Sequence, residues 1–178
     1  MDSSSQKKNI ILTGFMGTGK TTVARLLAAR LNYAFVDTDV RIEAQYGRSI
    51  PQIFAEWGEA AFRQMERETA QALAAERGLV IATGGRMMLD PANVAVLGGN
   101  GRIYCLTASP ETILARVMRD GVVERPLLAV PNPRQRILDL LTERREKYAQ
   151  FRQIPTDNCT PQEVAQNILN LLDKETGD

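Results

Sequence analysis

Eight residues near the start of the chain, Gly14-Phe15-Met16-Gly17-Thr18-Gly19-Lys20-Thr21, fit the phosphate-binding pattern G-x-x-x-x-G-K-[ST]. Closely spaced glycines let successive backbone N–H groups face inward around a phosphate, and a following helix adds the positive end of its dipole. Gly17, Thr18, Gly19, Lys20, Thr21 and Thr22 are therefore the expected nucleotide-phosphate contacts. In such a loop the lysine bridges the β- and γ-phosphates, and the hydroxyl at Thr21 joins the shell of a Mg²⁺ ion. The expected cofactors are ATP and Mg²⁺.

Two acidic residues follow at Asp37-Thr38-Asp39, at the end of an apolar run. At the carboxyl edge of a parallel sheet, where ligands bind, one carboxylate can hold the metal through water. The other can orient and deprotonate an attacking hydroxyl. The same tripeptide also reads as a helix cap with a charge-favoured first turn. Thr83-Gly84-Gly85 ends a later apolar run. Paired glycines there admit close approach of a substrate, whose groups their N–H donors can meet, or they only make a tight turn.

Much chemistry is excluded by composition. The 178 residues contain no histidine, so a Ser-His-Asp triad and histidine-ligated metals are ruled out. Lys plus Arg is 22 and Asp plus Glu is 21, a net charge of +1 that argues against a nucleic-acid or membrane-seeking surface. Two separated cysteines, Cys105 and Cys159, and no apolar stretch of signal-peptide length suggest a reducing, cytoplasmic setting. Cys105 sits in an apolar run and reads as a buried structural thiol.

The elements that must hold these residues alternate. Short β-like runs are expected at 10–13, 34–37, 79–83, 103–107 and 153–156. Helical spacing is expected over 20–31, 53–76 (interrupted by Gly58), 110–118, 134–151 and 161–172. Strands separated by helices imply right-handed β-α-β units in a three-layer α/β domain. Residues 1–8 read as a polar, disordered leader and 9–178 as a single domain. Residues 119–133, with Gly121, Pro126, Pro131 and Pro133, break the rhythm and read as a long loop, either a functional lid or a plain surface loop. With no heptad seam or long apolar edge, a monomer is expected.

In order and spacing these features together resemble the shikimate kinase family, over about residues 9–172. The resemblance rests on the segment 14–22, on Phe35-Val36-Asp37-Thr38-Asp39, and on Ile42-Glu43 followed by Gly47-Arg48-Ser49-Ile50. It continues through Ile53-Phe54, Gly58-Glu59, Phe62-Arg63 with Glu66, the segment 80–85 and Arg125-Pro126-Leu127-Leu128. It implies a P-loop NTPase fold with a five-stranded parallel sheet in the order 2-3-1-4-5 and helices on both faces. A substrate-binding subregion would lie at about 38–71 and the lid at 119–133. The implied reaction moves the γ-phosphoryl of ATP to a hydroxyl of shikimate, giving shikimate 3-phosphate. Lys20, Asp39 and Arg125 would be catalytic, with Asp39 the base, and Asp37 and Thr21 would serve the metal. Arg119 would lie against adenine and Arg125 would reach the phosphates. Asp39, Arg63, Gly84, Gly85 and Arg144 would hold the substrate. A kinase of the same build acting on another small hydroxylated acid or sugar, or a non-catalytic nucleotide-binding module, are the alternatives.

Two positions depart from the family pattern. Arg86 stands where the family carries a third glycine, and would either face solvent or add an anion contact near the substrate. Glu146-Lys147-Tyr148 stands where the family has Pro-Leu-Tyr, so the helix can run on, and Arg145 competes with Arg144 for the substrate role.

Overall fold

The computed structural model describes residues 7–120, 128 and 130–176. Five strands, β1 (Asn9–Gly14), β2 (Ala34–Asp37), β3 (Leu79–Ala82), β4 (Gly101–Thr107) and β5 (Arg152–Pro155), form one parallel sheet in the order β2-β3-β1-β4-β5. The order is the one the family resemblance implied. The helices are α1 (Lys20–Leu31), α2 (Thr38–Tyr46), α3 (Ile50–Ala75), α4 (Pro91–Gly99), α5 (Pro110–Asp120), α6 (Pro133–Ala149) and α7 (Pro161–Thr176).

Strand β1 is buried at every position, and its alternate residues feed two cores. Ile10 and Leu12 join Leu27, Ala82, Leu106 and Ile168 under α1 and α7, while Ile11 joins Leu73, Ile81, Leu97 and Cys105 under α3 and α4. Helices on both faces thus cover the continuous apolar runs that parallel strands need. Cys105 is free and fully buried as expected, and burial pushes its thiol up to about 11. The Asn9 amide ties the sheet to the end of α3, donating to Leu73 O and Glu76 O and accepting from Leu79 N.

Two smaller cores build the walls of the site. Phe15 packs with Ile113, Val117, Leu128, Ile137 and Leu140, which fixes α5 and α6 beside the glycine-rich loop. Ile42, Ile53, Phe62 and Met65 hold α2 against α3. Helix α3 begins with a reciprocal cap between Ser49 and Gln52, and Glu43 Oε1 accepts from Ile50 N at 2.8 Å, locking the turn between the two helices. Gly58 breaks the helix at φ 80°, as its interruption of the apolar pattern foretold.

Helices α2 and α4 were absent from the sequence expectation. Helix α2 is nine residues long with Ile42 its one buried apolar side chain, and α4 is a nine-residue helix with two glycines and two alanines, so neither shows a periodic stripe. Lys7 lies inside the expected leader yet packs its ammonium 5.4 Å from the Tyr33 ring and reaches Gly78. The expected lid and Arg125 within it fall largely or wholly outside the described residues.

Candidate active site

One cleft of about 840 Å³ opens at the carboxyl edge of the sheet. Residues 16–22, Asp37, Asp39, Arg63, Glu66, Gly84–Arg86, Arg116, Arg119 and Arg144 all line it. The expected phosphate loop and the expected substrate residues therefore share one space, at the strand ends where α/β sheets bind ligands.

The loop after β1 turns back through positive φ at Gly14, Gly17 and Gly19. At Gly14 the demand is also steric, because a methyl there would lie 2.2 Å from Leu106 O of the neighbouring strand. Gly19 caps α1 with no side-chain acceptor for the first helical N–H groups, which thus face the cleft as an anion site. Thr18 is buried and donates to Phe15 O at 2.7 Å, bracing the loop from within. Lys20 Nζ curls over the loop and donates to Gly14 O and Phe15 O, both at 2.9 Å.

Thr21 Oγ1 donates to Asp37 Oδ2 at 3.1 Å, so the two residues assigned to the metal meet. The other oxygen of Asp37 accepts from Asp39 N and Val40 N. The cap reading of Asp-Thr-Asp is therefore realised by one oxygen of Asp37, and the other oxygen is left to Thr21. A hydroxyl and a carboxylate oxygen are hard donors that suit Mg²⁺, which keeps several waters and takes only one or two protein carboxylates.

Asp39, on the first turn of α2, points into the cleft. Burial, reinforced by the Asp37 carboxylate, pushes it up to about 6, against the pull of Lys20 and Arg63. Arg63 on α3 donates Nη1 to the buried Glu66 at 2.7 Å, and Nε and Nη2 to Glu59 at 3.2 and 3.0 Å. Burial works against the Arg63 charge, but the two glutamates outweigh it and hold its pKa above the ordinary value. The two glutamates stand four residues before and three after Arg63, spacings that share one helix face.

Arg144 is turned away from solvent. It is 3 % exposed, with its guanidinium 5.3 Å from the Phe15 ring and Nη1 3.4 Å from Gly85 O. Its Nε is buried without a partner, and no salt bridge among the described residues reaches it. Helix α6 does run on through Glu146 and Lys147, and this leaves Arg144 on the cleft side while Arg145 is exposed and outside the cleft lining. Tyr148, one turn on, donates its hydroxyl to Gly85 O at 2.7 Å.

The glycine pair behaves in two ways. Gly84 N–H donates to Thr38 Oγ1 at 2.9 Å. Its lack of a side chain is what the site uses, since a Cβ would lie 2.6 Å from Asp39 Oδ1. Arg86 has φ −117°, so the position makes no demand for the left-handed region. Its Nη1 reaches Glu59 Oε1 at 3.2 Å, the oxygen that Arg63 also holds.

Sequence reasoning missed Arg116. It donates Nη1 to Gly17 O at 3.1 Å and to Thr156 Oγ1 at 3.0 Å, and Nη2 to Thr156 O at 2.8 Å. It thereby clips the phosphate loop to the loop after β5, alongside Arg119 at the end of the same helix. Its only signal was an arginine on the polar face of α5, which solvation explains equally well.

The family model described as shikimate kinase matches residues 16–173. A shikimate kinase of Thermodesulfovibrio yellowstonii is 44% identical over 164 residues, 91% of this chain and 93% of that one. A shikimate kinase of Caldanaerobacter subterraneus is 42% identical over 172 residues, 96% of this chain and 99% of that one. Among solved structures, a shikimate kinase from Acinetobacter baumannii in complex with shikimate superposes with TM-score 0.88 at 38% identity, covering 96% of this chain and 95% of that one.

Proposed function

The chain belongs to the shikimate kinase family, and on that premise we propose how its own residues transfer the γ-phosphoryl group of ATP to a hydroxyl of shikimate. The observation that carries the assignment is the position of Asp39. It lines the same cleft as a phosphate-binding loop and as two arginines, Arg63 and Arg144.

The loop N–H groups and Lys20 hold the β- and γ-phosphates, and Lys20 exchanges its carbonyl partners for phosphate oxygens. Thr21 and Asp37 would hold Mg²⁺, which when bound would supply positive charge to the phosphate oxygens. Asp39 accepts the proton of the attacking hydroxyl. A carboxyl with its pKa near 6 is a better proton acceptor than an ordinary aspartate and is still ionised in most molecules at pH 7.

Arg63 and Arg144 take the substrate carboxylate. A buried cation without an anion is costly, so Arg144 is a site built for a negative group that arrives with the ligand. On the family resemblance, Arg119 serves the adenine and Arg125 the phosphates.

The test is ADP release in a coupled assay with Mg²⁺ and ATP, with and without shikimate. Release that saturates with shikimate supports the assignment. ATP binding with no response to shikimate, followed by turnover of another hydroxylated acid in a substrate panel, would overturn it.

A further inference from the structure

Glu59 Oε1 accepts three hydrogen bonds, from Arg63 Nε at 3.2 Å, Arg63 Nη2 at 3.0 Å and Arg86 Nη1 at 3.2 Å. The Nε and Nη2 donors form one edge of the Arg63 fork, the edge that a carboxylate grips with two parallel bonds. Nη1 is committed to Glu66, whose side chain is 3 % exposed and cannot leave without stranding a buried carboxylate. Glu59 is 52 % exposed, so the edge it covers is the one that can be vacated.

We propose that Glu59 is a resident occupant of the Arg63 fork, and that Arg86 is the cation that keeps it when a substrate carboxylate displaces it. Arg86 is thus a positioning residue for the anionic substrate, acting through Glu59. This rests on the reading of Arg63 as a carboxylate holder. Glu59 serves both donors through a single oxygen, whereas an incoming carboxylate can use two, so the exchange favours the ligand. Displaced Glu59 remains on Arg86 and need not return to solvent alone.

Arg86 acts only through Glu59, since its one ion pair among the described residues is to the oxygen that Arg63 also holds. The departure at position 86 therefore assists anion binding and does not obstruct it.

The experiment is a double-mutant cycle on the full chain, reading KM for shikimate and kcat at saturating ATP. Glu59 and Arg86 are half exposed, and thermal melts check that Glu59→Gln, Arg86→Gln and the double variant fold. Arg86→Gln is expected to raise KM about threefold, the scale of an exposed ion pair, with kcat changed less than twofold. Arg86→Lys keeps the charge and should restore most of the loss. Glu59→Gln should lower KM, and in that background Arg86→Gln should have no effect. An equal rise in both backgrounds would mean that Arg86 touches the ligand itself, and a rise in KM for Glu59→Gln would make Glu59 a mere strut; either overturns the proposal. Arg63→Lys separates the two levels. If it leaves KM unchanged, the reading of Arg63 fails; if it raises KM while the cycle is flat, only the role of Glu59 and Arg86 fails.

Discussion

Asp39 occupies the space that a side chain on Gly84 would need: Oδ1 lies 2.6 Å from where the Cβ would be. The Asp39 carboxylate and the strand-end turn are therefore fitted to each other, and the glycine is required by proximity, since its φ lies outside the left-handed region. We expect Gly84→Ala to displace Asp39 from the cleft and cut kcat at least tenfold, with about 1–3 kcal/mol lost from overpacking. Nucleotide affinity should hold, because the phosphate loop lies on another strand end. Steady-state kinetics with ATP titration by fluorescence checks both halves.

Asp39 also makes the protein less stable than it could be. Its folded pKa of about 6 exceeds the ordinary value of 3.8, so the fold keeps a proton that the unfolded chain releases. Stability contributed by that group is therefore full below pH 4 and falls as pH climbs through 6. We expect Asp39→Asn, without nucleotide or metal, to be more stable than the parent at pH 8 by on the order of 2 kcal/mol. The gap should close towards pH 4. The same variant should lose turnover while binding ATP, and equal melting curves at pH 8 would contradict the burial argument.

Most of the nucleotide half was legible because its chemistry is local. The segment 14–21 needs glycines, a lysine and a hydroxyl at set spacing, and such a spacing survives in any context. Asp37 and Asp39 were readable as a pair, but which oxygen caps α2 and which meets Thr21 depends on three-dimensional placement. Arg144 and Arg145 could not be separated by sequence, because one residue is 100° of helix and only the packing of Phe15 and Tyr148 says which side faces the cleft. Arg116 and the sharing of Glu59 between Arg63 and Arg86 join residues far apart in the chain, and no local signal encodes such contacts.

Arg116 should matter to ATP and not to the acceptor. It bridges Gly17 O in the phosphate loop to Thr156 Oγ1 and O. Removing it by Arg116→Ala loses three hydrogen bonds from a charged donor, two of them to backbone carbonyls. We expect KM for ATP to rise about tenfold with KM for shikimate within twofold. A rise in both would show that the clip shapes the whole cleft.

Arg144 offers a stability contrast that distinguishes a ligand-binding arginine from a structural one. Its charge is buried, its Nε is unpartnered, and no carboxylate among the described residues offsets the cost of desolvation. An apolar residue of similar length removes that cost and keeps the packing against Phe15. We therefore expect Arg144→Met to melt at or above the temperature of the parent, while KM for shikimate rises about 10- to 100-fold, the scale of charged hydrogen bonds lost. Arg145→Met, on the exposed side of the same turn, should change neither quantity. A structural Arg144 would give the opposite pattern, a lower melting temperature with a proportionate loss of all activity. Melting with and without shikimate completes the case: at one ligand concentration the rise should be equal for the parent and Arg145→Met and clearly smaller for Arg144→Met.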